Sequence, residues 1–181
     1  LQLKRSDFAA EGEESFIPES IGKAIGVFAL ESYQIDAFTY QLGARYDRDS
    51  VDPSTPIDSN IIDNNANELA KTHFNNVSGS ASVSWAIDDA WRLGMALSRS
   101  QRAPTVEELF SNATNTAGDY IAHDATHAIE VGDADLKQET SRNVDVTLHY
   151  KGERAHGYVT VFHNEFHDFI SLTNTGDVQD D

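Results

Sequence analysis

The sequence predicts an all-β protein, an antiparallel up-and-down meander of about seven strands. Three observations predict it. Apolar residues alternate with polar or small ones in several stretches. The connections between these stretches alternate between short and long along the chain, and no internal repeat competes with a meander. At 181 residues the chain is long enough for one domain with a sizeable core, and nothing in its length demands two.

The strand signals differ in clarity along the chain. Residues 1–7 read as part of a strand, while residues 23–33 and 156–170 are strands by β-branched and aromatic content although their alternation is blurred. The clearest alternation lies in residues 37–47, 75–87, 91–98 and 143–150. In residues 75–87 the polar face is a run of Asn and Ser, which is too hydroxylated for the inside of a compact core.

The strand that starts at Trp91 stops at Pro104, because proline lacks the N–H that continues a β-ladder. Thr105 is placed to cap a single helical turn, with the carboxylates of Glu107 and Glu108 near its N-terminus. We expect Leu109 and Phe110 to pack that turn back on the rim of the sheet. A rim loop of purely structural purpose would show the same pattern.

Tight connections alternate with long ones. Residues 34–36, 88–89 and 152–154 are short enough for hairpin turns. Residues 8–22, 50–70 and 101–140 form long connections that are polar and rich in Asp, Asn, Ser and Thr. We therefore expect short turns at one end of the strands and long loops at the other.

Two architectures fit this pattern: a transmembrane barrel and a soluble or surface β-sandwich that binds a ligand without transport. The small hydroxylated faces, together with Trp, Tyr and Phe near strand ends, favour the barrel with its aromatic girdles. No apolar run of about 20 residues is present, so no spanning helix is expected, but spanning strands need no such run.

The net charge and the residue content limit the kinds of ligand and metal site that this chain can have. The formal net charge of −17 argues against a phosphate backbone, so we expect no nucleic-acid partner. Without cysteine, a metal would need His, Asp, Glu or backbone oxygen ligands. Neither a nucleophile elbow nor triad spacing is present, and we predict no enzymatic activity.

Two sequence motifs resemble segments found in the barrel of TonB-dependent outer-membrane receptors. The first is an Arg-Ala-Pro followed by Glu-Glu-Leu-Phe, and the second resembles a Gly-Asn-Pro-Asp-Leu-Lys-Pro-Glu segment that leads into the next strand. Asp133-Ala134 stand where Asn-Pro is usual, and Gln138 replaces a frequent Pro. The matching residues are Arg102, Ala103, Pro104, Glu107, Glu108, Leu109, Phe110, Gly132, Asp135, Leu136, Lys137, Glu139 and Thr140.

The resemblance implies that residues 1–181 are part of a receptor β-barrel domain, a fragment of a 22-strand transmembrane barrel whose N-terminal plug domain is absent. It implies localisation in the bacterial outer membrane, contact with outer-membrane lipid, and energy supplied by TonB through the missing plug. The transported nutrient would be a scarce metal ion or metal chelate. Residues 6–20 and the scattered histidines are most similar to the ZnuD-like zinc-uptake branch. An isolated open meander would have two unpaired edges, so we expect the fragment to self-associate.

The long loop before residue 140 contains the best metal candidates, namely Asp119, His123, Asp124 and His127. His123 and His127 would lie on one side if the loop formed a helical turn. We expect no required cofactor, and Zn²⁺ enters only as a candidate transported ligand; a solvated acidic loop would show the same residues. His163 and His167 lie in a strand about 13 Å apart, too far to share one zinc ion. His163 and Glu165 share one face of the strand and could form half of a metal site, but we expect them to be polar residues that face the lumen.

Overall fold

The computed structural model describes residues 1–10, 16–53, 69–113, 115, 119–123 and 127–176. A short helix, α1 (Val106–Phe110), and a hairpin of two short strands lie within the long connection before residue 139. In chain order the strands are β1 (Gln2–Phe8), β2 (Ser20–Ile35), β3 (Phe38–Pro53), β4 (Thr72–Ala86), β5 (Trp91–Arg102), β6 (Ala122–His123), β7 (Ala128–Ile129), β8 (Glu139–Lys151) and β9 (His156–His167).

Seven strands form one sheet in the order β1-β2-β3-β4-β5-β8-β9, and every neighbouring pair is antiparallel. The predicted up-and-down meander of about seven strands is therefore confirmed. Among the described residues the seven long strands form one open sheet, beside the small β6–β7 hairpin, rather than two packed sheets, so the β-sandwich alternative is wrong. Within the described residues β1 and β9 are the edge strands, and the sheet is not closed.

Short turns and long connections lie at opposite ends of the strands, as predicted. Near the short turns, aromatic rings contact across strands. The rings of Phe38 and Trp85 are stacked with centroids 5.8 Å apart, and those of Trp91 and Tyr150 lie 4.8 Å apart. Such a cluster corresponds to the aromatic girdle of a membrane barrel, where rings lie at the level of the lipid headgroups.

The register separates two faces of the sheet. The outer face carries mainly apolar side chains, with Glu31 of β2 as a charged exception opposite Leu42. On β3 the apolar band runs from Phe38 to Tyr46, nine residues, the length that a tilted strand needs to span a bilayer. The inner face is mostly hydroxyl, amide and small residues. Its members on β4 and β5 include Ser78, Ser80, Ser82, Ser84, Gly94, Ala96, Ser98 and Ser100.

The register also explains the blurred alternation of β2 and β9. Phe28 and Leu30 lie on the inner face of β2, and Phe162 and Phe166 lie on the inner face of β9. All four side chains are exposed. Both faces of these two strands are therefore partly apolar, and no single period can describe them.

Several strands extend further toward the long connections than the sequence indicated, and β2 and β3 do so most. β2 already begins at Ser20 and β3 continues to Pro53, so part of each predicted loop is paired strand. On the inner face at this end of the sheet, Val51 of β3 and Phe74 of β4 are buried against Leu109 and Phe110 of α1. This small core lies at the long-loop end of the sheet. No helix among the described residues is long and apolar enough to cross a bilayer.

Candidate functional site at the long-loop rim

The long connection folds back over the inner face of the sheet. We call its described part the rim assembly: residues 103–113, 119–123 and 127–138, together with Phe16. Leu109 is 1% exposed and Phe110 is 0% exposed, although both belong to a loop helix of five residues. The prediction that these two side chains pack the helix on the rim is confirmed.

A capping box fixes the start of α1, as the Thr105 prediction requires. The Glu108 N–H donates to Thr105 Oγ1 at 3.3 Å, and the Thr105 N–H donates to Glu108 Oε2 at 2.7 Å. Arg102, the last residue of β5, donates to both Glu108 oxygens at 2.8 and 3.1 Å and to Glu139 at 3.2 Å. One guanidinium therefore joins the end of β5, the cap of α1 and the start of β8.

The same contacts set the charge of Glu108. Partial burial of its carboxyl opposes ionisation, but the hydrogen bonds from Arg102 and Thr105 outweigh burial and lower the pKa of Glu108 below its ordinary value. The carboxylate is thus charged whenever the protein is near neutral pH, and the capping box stays intact there.

Asn112 connects three loop segments. Asn112 is 1% exposed, and its φ of 53° is the left-handed conformation that commonly follows a helix end. The side-chain Nδ2 donates to the carbonyls of Ile121 and Glu130 at 3.0 and 2.8 Å, and Oδ1 accepts the Ile121 N–H at 2.9 Å. Its backbone N–H donates to the carbonyl of Phe16 at 2.6 Å. The side-chain amide therefore holds the β6–β7 segment against α1, and the backbone N–H holds residue 16 there.

The second family-like motif packs directly on α1. A Cβ on Gly132 would lie 2.6 Å from backbone atoms of Leu109 and Phe110, so only glycine allows this approach. Asp133 replaces the usual Asn, and its Oδ1 accepts the N–H of Asp135 at 2.8 Å. The carboxylate thus forms the side-chain turn that an Asn would form.

The four predicted metal-ligand residues are only partly described. His123 lies in β6, and its Nδ1 is 3.1 Å from Glu130 Oε1 while its ring lies 5.3 Å from that of Phe16. His127 has a φ of 52°, and its N–H donates to the carbonyl of His123 at 2.8 Å. The described residues beside them pair as antiparallel strands, Ala122 with Ile129 and His123 with Ala128.

No three His, Asp or Glu side chains form a metal-binding group anywhere in the described ranges. Asp119 is described, whereas Asp124 lies outside the described residues. The complete set of Asp119, His123, Asp124 and His127 therefore stays a prediction.

The predicted orientation of His163 and Glu165 is wrong. They share the outer face of β9 with Val159 and Val161, because Val144 and Arg142 are their partners across the ladder. Glu165 lies 3.7 Å from Arg142 and 3.4 Å from His167.

The inner face is a polar wall that leads away from the rim assembly. Its hydroxyl and amide groups bond to one another across strands. The pairs are Ser100 and Ser141 at 2.7 Å, Asn143 and Ser98 at 3.1 Å, and Thr147 and Thr160 at 2.9 Å. On β3 of the same face, Arg45 forms a bidentate ion pair with Asp47 at 2.5 and 2.6 Å. On β4, β5 and β8 this face can contact a hydrated or polar solute directly, whereas exposed Phe and Leu side chains make it partly apolar on β2 and β9.

Sequence reasoning missed Asn112, Glu130 and Phe16 as parts of the rim assembly. An Asn directly after a short capped helix is a helix-end signal, and it could have identified Asn112. Glu130 and Phe16 carry no local signal, because the fold alone brings them to the helix.

Comparison with known proteins agrees with this architecture. Residues 4–181 match the family described as TonB dependent receptor-like, beta-barrel. The structure is also similar to the FrpB iron transporter from Neisseria meningitidis (F3-3 variant), with a TM-score of 0.59 and 19% sequence identity. That match covers 90% of this chain and 21% of the transporter, so the chain spans about a fifth of that protein. With a family match over nearly its whole length, the chain belongs to the TonB-dependent receptor β-barrels, a family of outer-membrane receptors rather than of enzymes.

Proposed function

We propose that this chain forms part of the wall and the extracellular mouth of a TonB-dependent receptor that takes up a scarce nutrient across the outer membrane. The observation that carries the proposal is the two-faced sheet: an apolar outer face with an aromatic girdle, and a hydroxylated inner face. A wall between lipid and a polar lumen requires this division.

In this mechanism the rim assembly would receive the nutrient at the long-loop end, and the inner wall would line its route. TonB would supply energy through a plug domain, and outer-membrane lipid would surround the outer face. No chemical conversion of the nutrient is involved. Long loops on the extracellular side and short turns on the periplasmic side are the general arrangement of such barrels.

For the substrate, we propose a metal ion or metal chelate. The similar Neisseria protein is described as an iron transporter, which supports a metal-containing substrate. Zinc, as in the ZnuD-like branch, is our specific hypothesis because His123 and His127 lie in the rim assembly with Asp119. Glu130 adds a carboxylate 3.1 Å from His123. An iron chelate is the competing substrate.

The test is uptake of radioactive zinc and of a ferric chelate by cells that produce the receptor containing this chain. A His123→Ala, His127→Ala variant should lose most zinc uptake. A matched His149→Ala, His156→Ala variant removes two histidines near the short turns and should keep it. Loss of TonB should abolish uptake of both zinc and the ferric chelate.

Ferric-chelate uptake that is unchanged in the rim variant, without any zinc uptake, would reject the zinc hypothesis and leave the receptor function standing. Absence of TonB-dependent uptake of every metal tested would reject the metal substrate itself.

A further inference from the structure

A row of basic side chains lies on the outer face, at the boundary between the apolar band and the long-loop end. On each strand a run of mainly apolar outward residues reaches this boundary, and the outward residue at the boundary is Arg or Lys on five of the seven strands; on β2 the run contains Glu31, and Ile21 lies beyond Lys23. We call Arg5, Lys23, Arg48, Arg99 and Arg142 the outward basic row. Asn75 of β4 and His163 of β9 occupy the other two positions.

This concentration is unusual for the chain's composition. The sequence has 13 Lys and Arg residues against 30 Asp and Glu residues, yet five of the 13 occupy this one level of the outer face. All five residues are exposed. Random placement in an acidic chain would put carboxylates there more often than cations.

Two pairs in the row place like charges directly opposite each other. Arg5 is the ladder partner of Lys23, and Arg99 is the ladder partner of Arg142. Such pairs have Cβ atoms about 5 Å apart and destabilise a sheet unless an anion lies between them. Asp7 pairs with Arg5 at 3.0 Å and Glu165 with Arg142 at 3.7 Å. These two carboxylates leave the row with an excess of three positive charges.

Three members of the row differ from Arg5 and Arg142 in their ion pairs. Within the described ranges, no ion pair involves Lys23, Arg48 or Arg99. Arg99 is held in place because its Nη1 donates to the carbonyl of Val77 at 2.9 Å. A guanidinium has five N–H donors, so most of them remain available to an anion.

We propose that the outward basic row binds the phosphate groups of anionic lipid headgroups in the leaflet at the long-loop end of the barrel. The row lies at headgroup level, one step beyond the outward Tyr46, whose hydroxyl donates to Asn75 at 2.8 Å. Basic side chains at this level attract anionic lipid by about 1 kcal/mol each, and arginine forms bidentate bonds with phosphate. The inference concerns the lipid face and does not depend on the transported nutrient.

The experiment uses the receptor containing this chain in neutral detergent micelles. Fluorescent phosphatidic acid is the probe, phosphatidylcholine of the same chain length is the lipid control, and inorganic phosphate is the competitor. The test variant is Lys23→Gln, Arg48→Gln, Arg99→Gln. The matched control is Arg92→Gln, Lys151→Gln, Arg154→Gln, which also removes three positive charges but near the short turns.

We expect the wild-type protein and the control variant to bind phosphatidic acid in preference to phosphatidylcholine, with affinity that falls as salt rises. The test variant should bind about 100-fold more weakly, since each lost cation costs about fivefold. Equal loss in both variants, or equal binding of the two lipids by wild type, would overturn the proposal. Full competition by an equal concentration of inorganic phosphate would reassign the row to free anions and overturn lipid binding.

If the test variant fails to fold, single substitutions replace it. Arg48→Gln should weaken phosphatidic acid binding about fivefold, and Arg48→Lys should restore most of it. Unchanged binding in Arg48→Gln, Lys23→Gln and Arg99→Gln alike would reject the row as the binding surface.

Discussion

Glu108 is the residue on which the largest number of rim contacts converge. Its carboxylate accepts from Arg102 and from the Thr105 N–H, while its own N–H completes the capping box. Glu108→Gln removes the charge in the first turn of α1, and we expect it to destabilise α1 by about 1 kcal/mol. Amide hydrogen exchange of residues 109–113 measures this loss, with Glu107→Gln as the control because it leaves the capping box intact.

The pH dependence of α1 follows from the same carboxylate. Because the pKa of Glu108 is lower in the folded protein, its stabilisation is fully present above the unfolded pKa of about 4.3 and is lost as pH falls through the folded value. Exchange rates of residues 109–113, corrected for intrinsic pH effects, should therefore rise on acidification. In Glu108→Gln this rise should be absent; a rise of equal size would contradict the assignment.

At the scale of the element, α1 depends on the close approach of residue 132. Gly132→Ala would place a methyl group 2.6 Å from the backbone of Leu109 and Phe110. Since backbone cannot move aside as a flexible side chain can, we expect a loss of about 1–3 kcal/mol in the local stability of the rim assembly. Limited proteolysis between residues 113 and 131 measures it. Gly157→Ala is the matched control, because a Cβ there meets nothing within 4 Å.

The contrast between elements shows what the sequence could predict. β3, β4, β5 and β8 each have one apolar and one polar face, so period-two alternation was enough to place them and to fix their register with short turns. α1 was predictable because Thr105, Pro104 and Glu108 carry local capping signals. By contrast, β2 and β9 have apolar residues on both faces, and local pattern could not orient Phe28 or Phe162.

The rim assembly was harder to predict for a different physical reason. Val51 continues the inner face of β3, and nothing near it in sequence indicates that Phe110, almost 60 positions away, would cover it. The β6–β7 hairpin likewise depends on Asn112, whose side chain replaces hydrogen bonds that a longer ladder would provide. Nonlocal burial of this kind leaves no periodic signal.

At the scale of the whole molecule, the two faces of the sheet predict opposite responses to charge. Met95 lies at the middle of the outer band of β5, opposite Val83 and Val146, and Ser98 of the same strand faces inward. In a bilayer, Met95→Arg should cost about 2–4 kcal/mol, because an arginine at the midplane must leave water, whereas Ser98→Arg should cost little. Reversible unfolding in lipid vesicles compares the two variants, and equal costs would mean that the assigned faces are wrong.

The open edges of the sheet predict how residues 1–181 behave alone. β1 and β9 each have one row of backbone N–H and C=O groups without a ladder partner in the described sheet, and every residue of β9 is exposed. Unpaired edges template further strands, and inside a detergent micelle no water compensates for the missing bonds. We therefore expect the isolated chain to form oligomers through edge pairing, and sedimentation in density-matched detergent should show mass that rises with concentration.

Added chain segments that pair with β1 and β9 should return the isolated chain to a monomer and slow amide exchange in both strands. A concentration-independent monomer of residues 1–181 with slow exchange at both edges would show instead that the edges are already satisfied, through closure or cover by the chain itself.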